Sequence, residues 1–226
     1  MGRIRHAVIM AAGRGNRMMP ATQDIPKPMQ PYLQSTLVAT GIDKIRPYIE
    51  HIHVTVGYKG AMLAQHLIEH GVSSIHNTDG QSNSWWIHHS LLRHLDEPVF
   101  VLTCDNITDL DFARLADDYF ALGEPPCLLV PVAPVEGLDG DFIFHDGPVV
   151  TALDRSRPAE TYCSGIQVLN PRKVIALTSG DGDFTTVWNE LIAKRMLMVS
   201  SVRPKKWFSV DTIAHLESVA ARWDAQ

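Results

Sequence analysis

The sequence is poor in cysteine. It has only three, Cys104, Cys127 and Cys163, and they lie far apart with no Cys-x-x-Cys spacing. An odd, scattered set of thiols favours neither a disulfide framework nor a zinc site, and it suits a reducing compartment. We therefore expect a cytoplasmic protein.

An excess of positive charge and long apolar runs are also missing. The formal net charge is -5 and the isoelectric point is near 6.1, which argues against nucleic acid or an anionic membrane surface as a partner. No run approaches the roughly 20 apolar residues of a membrane span. The apolar run 7–12 is too short for a signal peptide, so we expect no export. A role with small molecules fits better, and the residues imply no particular oligomeric state.

The chain does contain a regular alternation of strand-like and helix-like segments. With 226 residues and 45% hydrophobic content it has enough material for one well-packed domain, residues 1–226. Apolar β-branched runs predict buried strands at 7–10, 51–56, 99–103 and 127–132. Apolar spacings of three and four predict helices at 35–45, 61–70, 84–95 and 111–122. The alternation predicts an α/β fold, a Rossmann-like three-layer sandwich with a mixed, mostly parallel central sheet.

After residue 134 the pattern changes to a β-rich insertion. Its extended runs are 141–145, 149–153 and 162–169, with an Asp146-Gly147 turn between the first two. Further helices are predicted at 171–177, 185–195 and 212–223, with a final strand at 207–210. Ligands of open α/β sheets bind at the carboxyl ends of the strands, so residues directly after each strand are the candidates for a site.

Two glycines, Gly13 and Gly15, come directly after the first predicted strand. Without side chains there, backbone N–H groups can approach a polyphosphate closely. A Gly-x-Gly turn alone is weak evidence, because any tight turn favours glycine. A dinucleotide-binding fingerprint would need a third glycine where Met18 stands, and the Gly-Lys-Ser/Thr of a P-loop does not occur.

The longer pattern around this loop is more specific. It runs Ala11-Ala12-Gly13-Arg14-Gly15-Asn16-Arg17, then Pro20-x-Thr22, then Pro26-Lys27-Pro28-Met29, and it resembles the signature of sugar-phosphate nucleotidyltransferases. The resemblance implies that Ala11, Ala12, Gly13 and Gly15 contact the nucleotide. It also implies that Arg17 and Lys27 are catalytic cations, which offset charge around the α-phosphate and the leaving pyrophosphate.

The resemblance continues over nearly the whole chain. The matching segments are Val56-Gly57-Tyr58-Lys59, Thr103-Cys104-Asp105, Ser164-Gly165-Ile166 and the end motif from Trp207 to Thr212. Bacterial N-acetylmuramate-1-phosphate uridylyltransferases are especially similar, at 111–115, at Gly140-Asp141-Phe142 and in overall length. This similarity implies a nucleotide sugar for cell-envelope glycan synthesis as the product.

One segment departs from that pattern. Sugar nucleotidyltransferases commonly have a glycine-rich turn where this chain has Gln81-Ser82-Asn83-Ser84-Trp85-Trp86. The Ser82-Asn83 pair resembles the Thr-Asn of phosphocholine cytidylyltransferases, in which the asparagine lies beside the base. We therefore expect Asn83 to contact the nucleotide, with CTP and UTP both open as donors.

The chemistry of such a reaction requires charge neutralisation between two phosphates, for which Mg²⁺ is suited. Mg²⁺ prefers oxygen ligands, and Asp105 and Asp211 each follow a predicted strand. We expect both to be metal ligands, with Asp105 also beside the nucleotide. The alternative for each is a helix cap or a turn. No general base is required, because the acceptor phosphate is already ionised.

The acceptor remains open between two classes. The leading prediction is a sugar-1-phosphate, held by Gly165 and by the Asp154 carboxylate. The alternative is phosphocholine or a similar phosphorylated alcohol, for which Trp85, Trp86, Trp188 and Trp207 are candidates for an aromatic box. A third possibility, from another class, is a non-catalytic nucleotide-binding regulator on the same fold.

Overall fold

The computed structural model describes residues 2–138 and 140–223. Within them the strands are β1 (His6–Met10), β2 (Pro31–Tyr32), β3 (Ser35–Thr36), β4 (His51–Val56), β5 (Ser74–Asn77), β6 (Val99–Thr103), β7 (Asn106–Thr108), β8 (Cys127–Val132), β9 (Phe142–Asp146), β10 (Val149–Asp154), β11 (Tyr162–Leu169), β12 (Leu197–Val199) and β13 (Trp207–Ser209). The α-helices are α1 (Leu37–Ile45), α2 (Gly60–Glu69), α3 (Trp85–His89), α4 (Phe112–Ala121), α5 (Pro171–Ile175), α6 (Phe184–Ala193) and α7 (Ile213–Trp223).

The main sheet has the order β5-β4-β1-β6-β11-β8-β12-β10-β9. Strands β5, β4, β1 and β6 are mutually parallel, whereas β11 runs antiparallel to both β6 and β8. The predicted mixed α/β fold is confirmed. The parallel part is concentrated on the β5 side, and the predicted insertion supplies the antiparallel strands β9, β10 and β11.

Side chains of β1 alternate between two apolar cores, one on each face of the sheet. Ala7 and Ile9 pack with α1, α2 and α4, and Val8 packs with α3, α5 and α6. All three β1 side chains are at most 1% exposed. The strand is therefore covered on both sides, as a central parallel strand should be.

The segment predicted as one helix over 84–95 is divided. α3 ends at His89, and a separate 3-10 helix follows at Leu91–His94. The Ser90 hydroxyl donates to the Trp86 carbonyl and accepts from the Leu92 N–H, at 2.6 and 3.1 Å. A serine side chain that bonds the backbone in this way competes with helical hydrogen bonds, which explains the break.

Several short strands were not predicted, namely β2, β3, β5, β7 and β12. β5 lies at the edge of the sheet. Its sequence, Ser-Ile-His-Asn, lacks the β-branched pattern of a buried strand. β2, β3, β7 and β12 have only two or three residues each. That residues 1–226 form a single domain stays a prediction. Among the described residues no helix has the length and apolarity needed to cross a bilayer.

A chain of polar side chains crosses β1, β4 and β5 on one face of the sheet. His6 Nδ1 lies 3.0 Å from His53 Nε2, and Ser74 Oγ lies 2.7 Å from both His53 Nδ1 and His76 Nε2. Burial, with contributions from the neighbouring imidazoles, lowers the pKa of His53 to about 4. His53 is therefore neutral in the folded protein at pH values where it is protonated in the unfolded chain.

As the pH is lowered from about 6.5 to about 4, we expect the free energy of unfolding to decrease, because the unfolded state binds more protons than the folded state in this range. The contribution of His53, allowing for its partial exposure, is about 1–2 kcal/mol. Denaturant unfolding at a series of pH values should show a flatter profile for His53→Gln than for the wild type. His94→Gln, at an exposed position, is the control, and parallel profiles for His53→Gln and wild type would contradict the assignment.

Candidate functional site

A cleft of about 710 Å³ lies at the carboxyl ends of β1, β4 and β6. One wall is the loop after β1, the opposite wall is the segment 78–83, and the floor is formed by Thr103, Cys104 and Asp105. The cleft thus lies at the edge of the sheet from which the sequence analysis took its candidate residues. The segment 78–82 was not among the predicted site residues, although Asn83 at its end was.

The loop after β1 has backbone donors with no partner in the protein. Within the described part of the chain, the N–H groups of residues 12–17 donate to no protein acceptor, whereas the Ala11 N–H donates to the Thr55 carbonyl at 3.1 Å. A row of free N–H groups on a concave loop is a binding surface for anions. Ala12, Gly13 and Gly15 line the cleft. Ala11 is 2% exposed beneath it, and its contact with nucleotide stays a prediction.

The shape of the loop depends on Gly15 and its neighbours. Gly15 has φ +64, and a Cβ at this position would lie 2.8 Å from Lys27 Cβ. The Thr22 hydroxyl donates to the Gly15 carbonyl at 3.1 Å, and Tyr58 donates to the Thr22 carbonyl at 3.2 Å. Only glycine combines this left-handed conformation with so close an approach. The loop is therefore packed directly against the stem of Lys27.

Lys27 lies between the two predicted metal ligands. Its ammonium Nζ donates to Asp105 Oδ2 at 2.5 Å and to Asp211 Oδ1 at 3.3 Å. Arg17 Nη2 donates to the same Asp211 oxygen at 2.7 Å. The structure thus brings together four residues that span 194 positions of sequence, all of them predicted for the site.

The short ribbon of β7 and β13 explains why the two aspartates converge. Asp105 directly precedes β7, Asp211 closely follows β13, and these strands are antiparallel with Ser209 opposite Asn106. The Val210 N–H donates to the Asp105 carbonyl at 3.0 Å. Neither carboxylate caps a helix: the Thr212 hydroxyl, not Asp211, accepts from the His215 N–H.

The electrostatics of this cluster hold Lys27 in its charged form. Burial alone would lower the pKa of Lys27, but the charges of Asp105 and Asp211 outweigh burial and raise it. Burial, followed by the charge of Asp105, raises the pKa of the adjacent Cys104 thiol to about 12. The cluster therefore contains a charged ammonium and a neutral thiol beside the two aspartates.

The two carboxylates suit a hard divalent cation. Both present an oxygen to one common point, now taken by the Lys27 ammonium, and both face the cleft. Among the described residues no group of three or more His, Cys, Asp or Glu is arranged to hold a metal. Mg²⁺ is often held by one or two carboxylates, with substrate phosphates and water completing its shell. Asp105 and Asp211 fit this pattern.

Asn83 stands on the wall opposite the loop. Its side-chain oxygen accepts from the Phe184 N–H at 2.9 Å. Because that donor fixes the orientation of the amide, the NH₂ group is the part left for a ligand in the cleft. Asn83 therefore offers a hydrogen-bond donor.

The predicted acceptor residues lie apart from each other. Gly165 has φ +79 at an irregularity in β11, opposite the carboxyl end of β6, and a side chain there would point at Thr103 and Asn106. Asp154, at the end of β10, accepts from the N–H groups of Ser156 and Arg157. Asp154 is not among the residues lining the cleft, and its contact with acceptor stays a prediction.

Two buried side chains carry polar atoms whose role the sequence analysis did not predict: it did not name Asn106, and it named Trp207 for its ring rather than for its N–H. Asn106 Oδ1 and Trp207 Nε1 are buried and have no hydrogen-bond partner in the protein. A Cβ atom at position 165 would lie 3.6 Å from Asn106 Oδ1. The centroid of the Trp207 ring lies 6.4 Å from that of Tyr162, at the start of β11. Buried polar groups without partners are rare, so these two call for a ligand or water.

Known proteins share this fold and parts of this sequence. The chain is 30% identical over 113 residues to the bifunctional protein GlmU of Methanococcus aeolicus, covering 50% of this chain and 27% of that protein. It is 25% identical over 179 residues to the mannose-1-phosphate guanyltransferase of Debaryomyces hansenii, covering 73% and 49%. The chain thus spans about a quarter to a half of these relatives.

A solved structure is similar over almost the full length. The inositol-1-phosphate CTP transferase of T. maritima superimposes with a TM-score of 0.76 at 17% identity, covering 97% of this chain and 95% of that one. This likeness establishes the fold.

Residues 7–132 match the model of one family, the MobA-like NTP transferase domain. The matched range includes the loop after β1, Lys27, Asn83 and Asp105. The chain belongs to the MobA-like NTP transferase family.

Proposed function

We propose that this protein transfers a nucleotidyl group from a nucleoside triphosphate to a sugar-1-phosphate and releases pyrophosphate, with Mg²⁺ as cofactor. One observation carries the proposal: Lys27 and Arg17 contact Asp105 and Asp211 beside a loop whose N–H groups are free. A non-catalytic regulator would not need all four side chains together. The product fits the cell-envelope role inferred from the sequence, and the cytoplasmic location stays a prediction.

In the proposed reaction an acceptor phosphate oxygen attacks the α-phosphorus. The new P–O bond forms as the bond to pyrophosphate breaks, and no proton must be removed from the ionised acceptor. The free N–H groups of residues 12–17 orient the triphosphate, and Arg17 and Lys27 offset negative charge on the α-phosphate and the leaving group. Bound by Asp105 and Asp211, Mg²⁺ would supply further charge neutralisation.

A pyrimidine base is supported by Asn83. Its NH₂ group is a donor, and cytosine and uracil share the O2 carbonyl as an acceptor. Ala12 and Gly13 lie across the cleft from Asn83, where they can orient the ribose and phosphates. We therefore propose CTP or UTP as the donor.

A polyhydroxylated acceptor is supported by Asn106 Oδ1, an unpartnered atom near Gly165. Asn106 Oδ1 is an acceptor and Trp207 Nε1 is a donor, and a sugar hydroxyl can satisfy either kind. The phosphocholine alternative is still supported by the resemblance of Ser82-Asn83 to the Thr-Asn of phosphocholine cytidylyltransferases. An aromatic box built from all four tryptophans is disfavoured, because Trp86 and Trp188 are 1% and 8% exposed within one apolar core.

A panel of the four nucleoside triphosphates against sugar-1-phosphates, inositol phosphate and phosphocholine should give pyrophosphate release with CTP or UTP and a polyhydroxylated acceptor. Coupled pyrophosphate detection measures this, with each triphosphate alone as the blank. Activity confined to CTP with phosphocholine would exclude the sugar acceptor. Triphosphate binding without pyrophosphate release from any acceptor would instead support the regulator.

Removing either partner of the central ion pair should lower turnover. Lys27→Met and Asp105→Asn are each expected to reduce kcat at least about tenfold, because each removes charge stabilisation at the reacting phosphates. Steady-state pyrophosphate release measures the effect, and circular dichroism checks the fold. Lys44→Met, which removes an exposed lysine of α1, is the charge-matched control, and unchanged turnover in Lys27→Met or Asp105→Asn would refute the role.

Gly13 differs from Gly15 in what it does for the protein. A Cβ at Gly13 would meet no protein atom within 4 Å, so the fold does not require glycine there. We expect Gly13→Ala to keep its stability within about 0.5 kcal/mol but to bind nucleoside triphosphate at least about tenfold more weakly, because the methyl group occupies space for phosphate.

Calorimetric titration and thermal unfolding of Gly13→Ala measure the two quantities. Gly41→Ala, where a Cβ also meets nothing within 4 Å and which is not among the cleft-lining residues, should retain nucleotide affinity. Gly15→Ala should lose about 1–2 kcal/mol of stability, because its φ is positive and its Cβ meets Lys27. Wild-type affinity in Gly13→Ala would place the phosphates elsewhere.

A further inference from the structure

The position of Lys27 has a consequence for metal binding, given the function proposed above. Its Nζ lies 2.5 Å from an Asp105 oxygen and 3.3 Å from an Asp211 oxygen, so one cation already bridges the two carboxylates. The Lys27 and Asp211 side chains are only 11% and 10% exposed, so solvent screens the pair weakly. A divalent ion bound by the same two oxygens would have to take the place of the ammonium.

The charges within the cluster are already balanced. Two carboxylates face one ammonium and one guanidinium, since Arg17 also contacts Asp211. A divalent cation entering this cluster would add two positive charges beside Lys27 and would meet no uncompensated carboxylate. Repulsion between like charges is strong at partly buried sites. The cluster without nucleotide should therefore bind a divalent cation poorly.

A triphosphate would change this balance. The N–H groups of residues 12–17 have no protein acceptor, and the Arg17 side chain is 59% exposed. Both would hold phosphates on the loop that packs against the Lys27 stem. Several negative charges then lie beside Lys27. Its flexible four-carbon stem allows the ammonium to turn from the carboxylates to the phosphates.

We propose that Lys27 serves as a resident cation between Asp105 and Asp211, and that it releases them to a divalent metal only when a nucleoside triphosphate binds. Metal and nucleotide binding are thereby coupled, each favouring the other. The coupling assigns Lys27 two successive partners, first the carboxylates and then the phosphates. It rests on the proposed function only for the identity of the incoming anion.

The test uses Mn²⁺, whose free form is measured by electron paramagnetic resonance, and protein without nucleotide. Lys27→Met is expected to bind Mn²⁺ at least about tenfold more tightly than the wild type, because the carboxylates lose their bridging cation. Lys44→Met should bind Mn²⁺ like the wild type. Adding Asp105→Asn to Lys27→Met should abolish the gain, which locates the ion. Equal Mn²⁺ affinity of Lys27→Met and wild type would overturn the proposal.

A second arm uses only proteins that retain Lys27. Equilibrium dialysis with a non-hydrolysable nucleoside triphosphate measures Mn²⁺ bound per protein, with Asp105→Asn as the blank for metal carried by the nucleotide itself. The wild type should hold an additional Mn²⁺ only when nucleotide is present. This arm decides the question even if Lys27→Met does not fold.

The outcomes separate this inference from the proposed function. Nucleotide that binds the wild type while Mn²⁺ affinity stays the same with and without it would refute the coupling alone. A protein that binds none of the four nucleoside triphosphates would refute the proposed function, and the nucleotide-free comparison of Lys27→Met with wild type would still show whether Lys27 excludes the metal.

Discussion

The site depends on one interaction, the contact of the Lys27 ammonium with Asp105 and Asp211. It connects the segment after the first loop with the end of β6 and the end of β13, which are distant in sequence. Breaking a buried ion pair by removing one partner typically costs about 3–5 kcal/mol, because the other charge is left without compensation. The same three charges thus hold these segments in place, and they position the residues of the proposed reactive centre.

This interaction is possible because of the sheet topology. Parallel strands β1, β4 and β6 all end at one edge, so the loops that follow them meet there. The antiparallel β11 crosses β6 in the opposite direction and brings Gly165 to the same edge. The β7 and β13 ribbon then places Asp105 beside Asp211. Charged residues from four parts of the chain therefore converge without any long excursion of the backbone.

Much of this arrangement could be predicted from the sequence, because strand and helix periodicity fixes which residues end at the carboxyl edge. Asp105 and Asp211 were predicted for that reason, and Lys27 was predicted from the family resemblance. The contact between Lys27 and both carboxylates could not be predicted, since it depends on the register of β7 with β13, two strands of three residues each. The break at Ser90 depends on a side-chain rotamer. The different roles of Gly13 and Gly15 depend on space around each Cβ, which no sequence pattern records.

The polar groups that line the cleft and those near Gly165 differ in the kind of ligand atom that they can recognise. Under the proposed function, the backbone N–H groups and cations of the cleft recognise charge, which every nucleoside triphosphate carries, so they would give affinity with little selectivity. Asn106 Oδ1 and Trp207 Nε1, whose residues are not among those lining the cleft, are neutral and unpartnered. A buried polar atom left unpaired costs about 1–3 kcal/mol, and a ligand that satisfies it gains against one that does not. Of these two atoms, Asn106 Oδ1 is the one that lies beside Gly165, so under the proposed function it is the candidate for selectivity toward the acceptor.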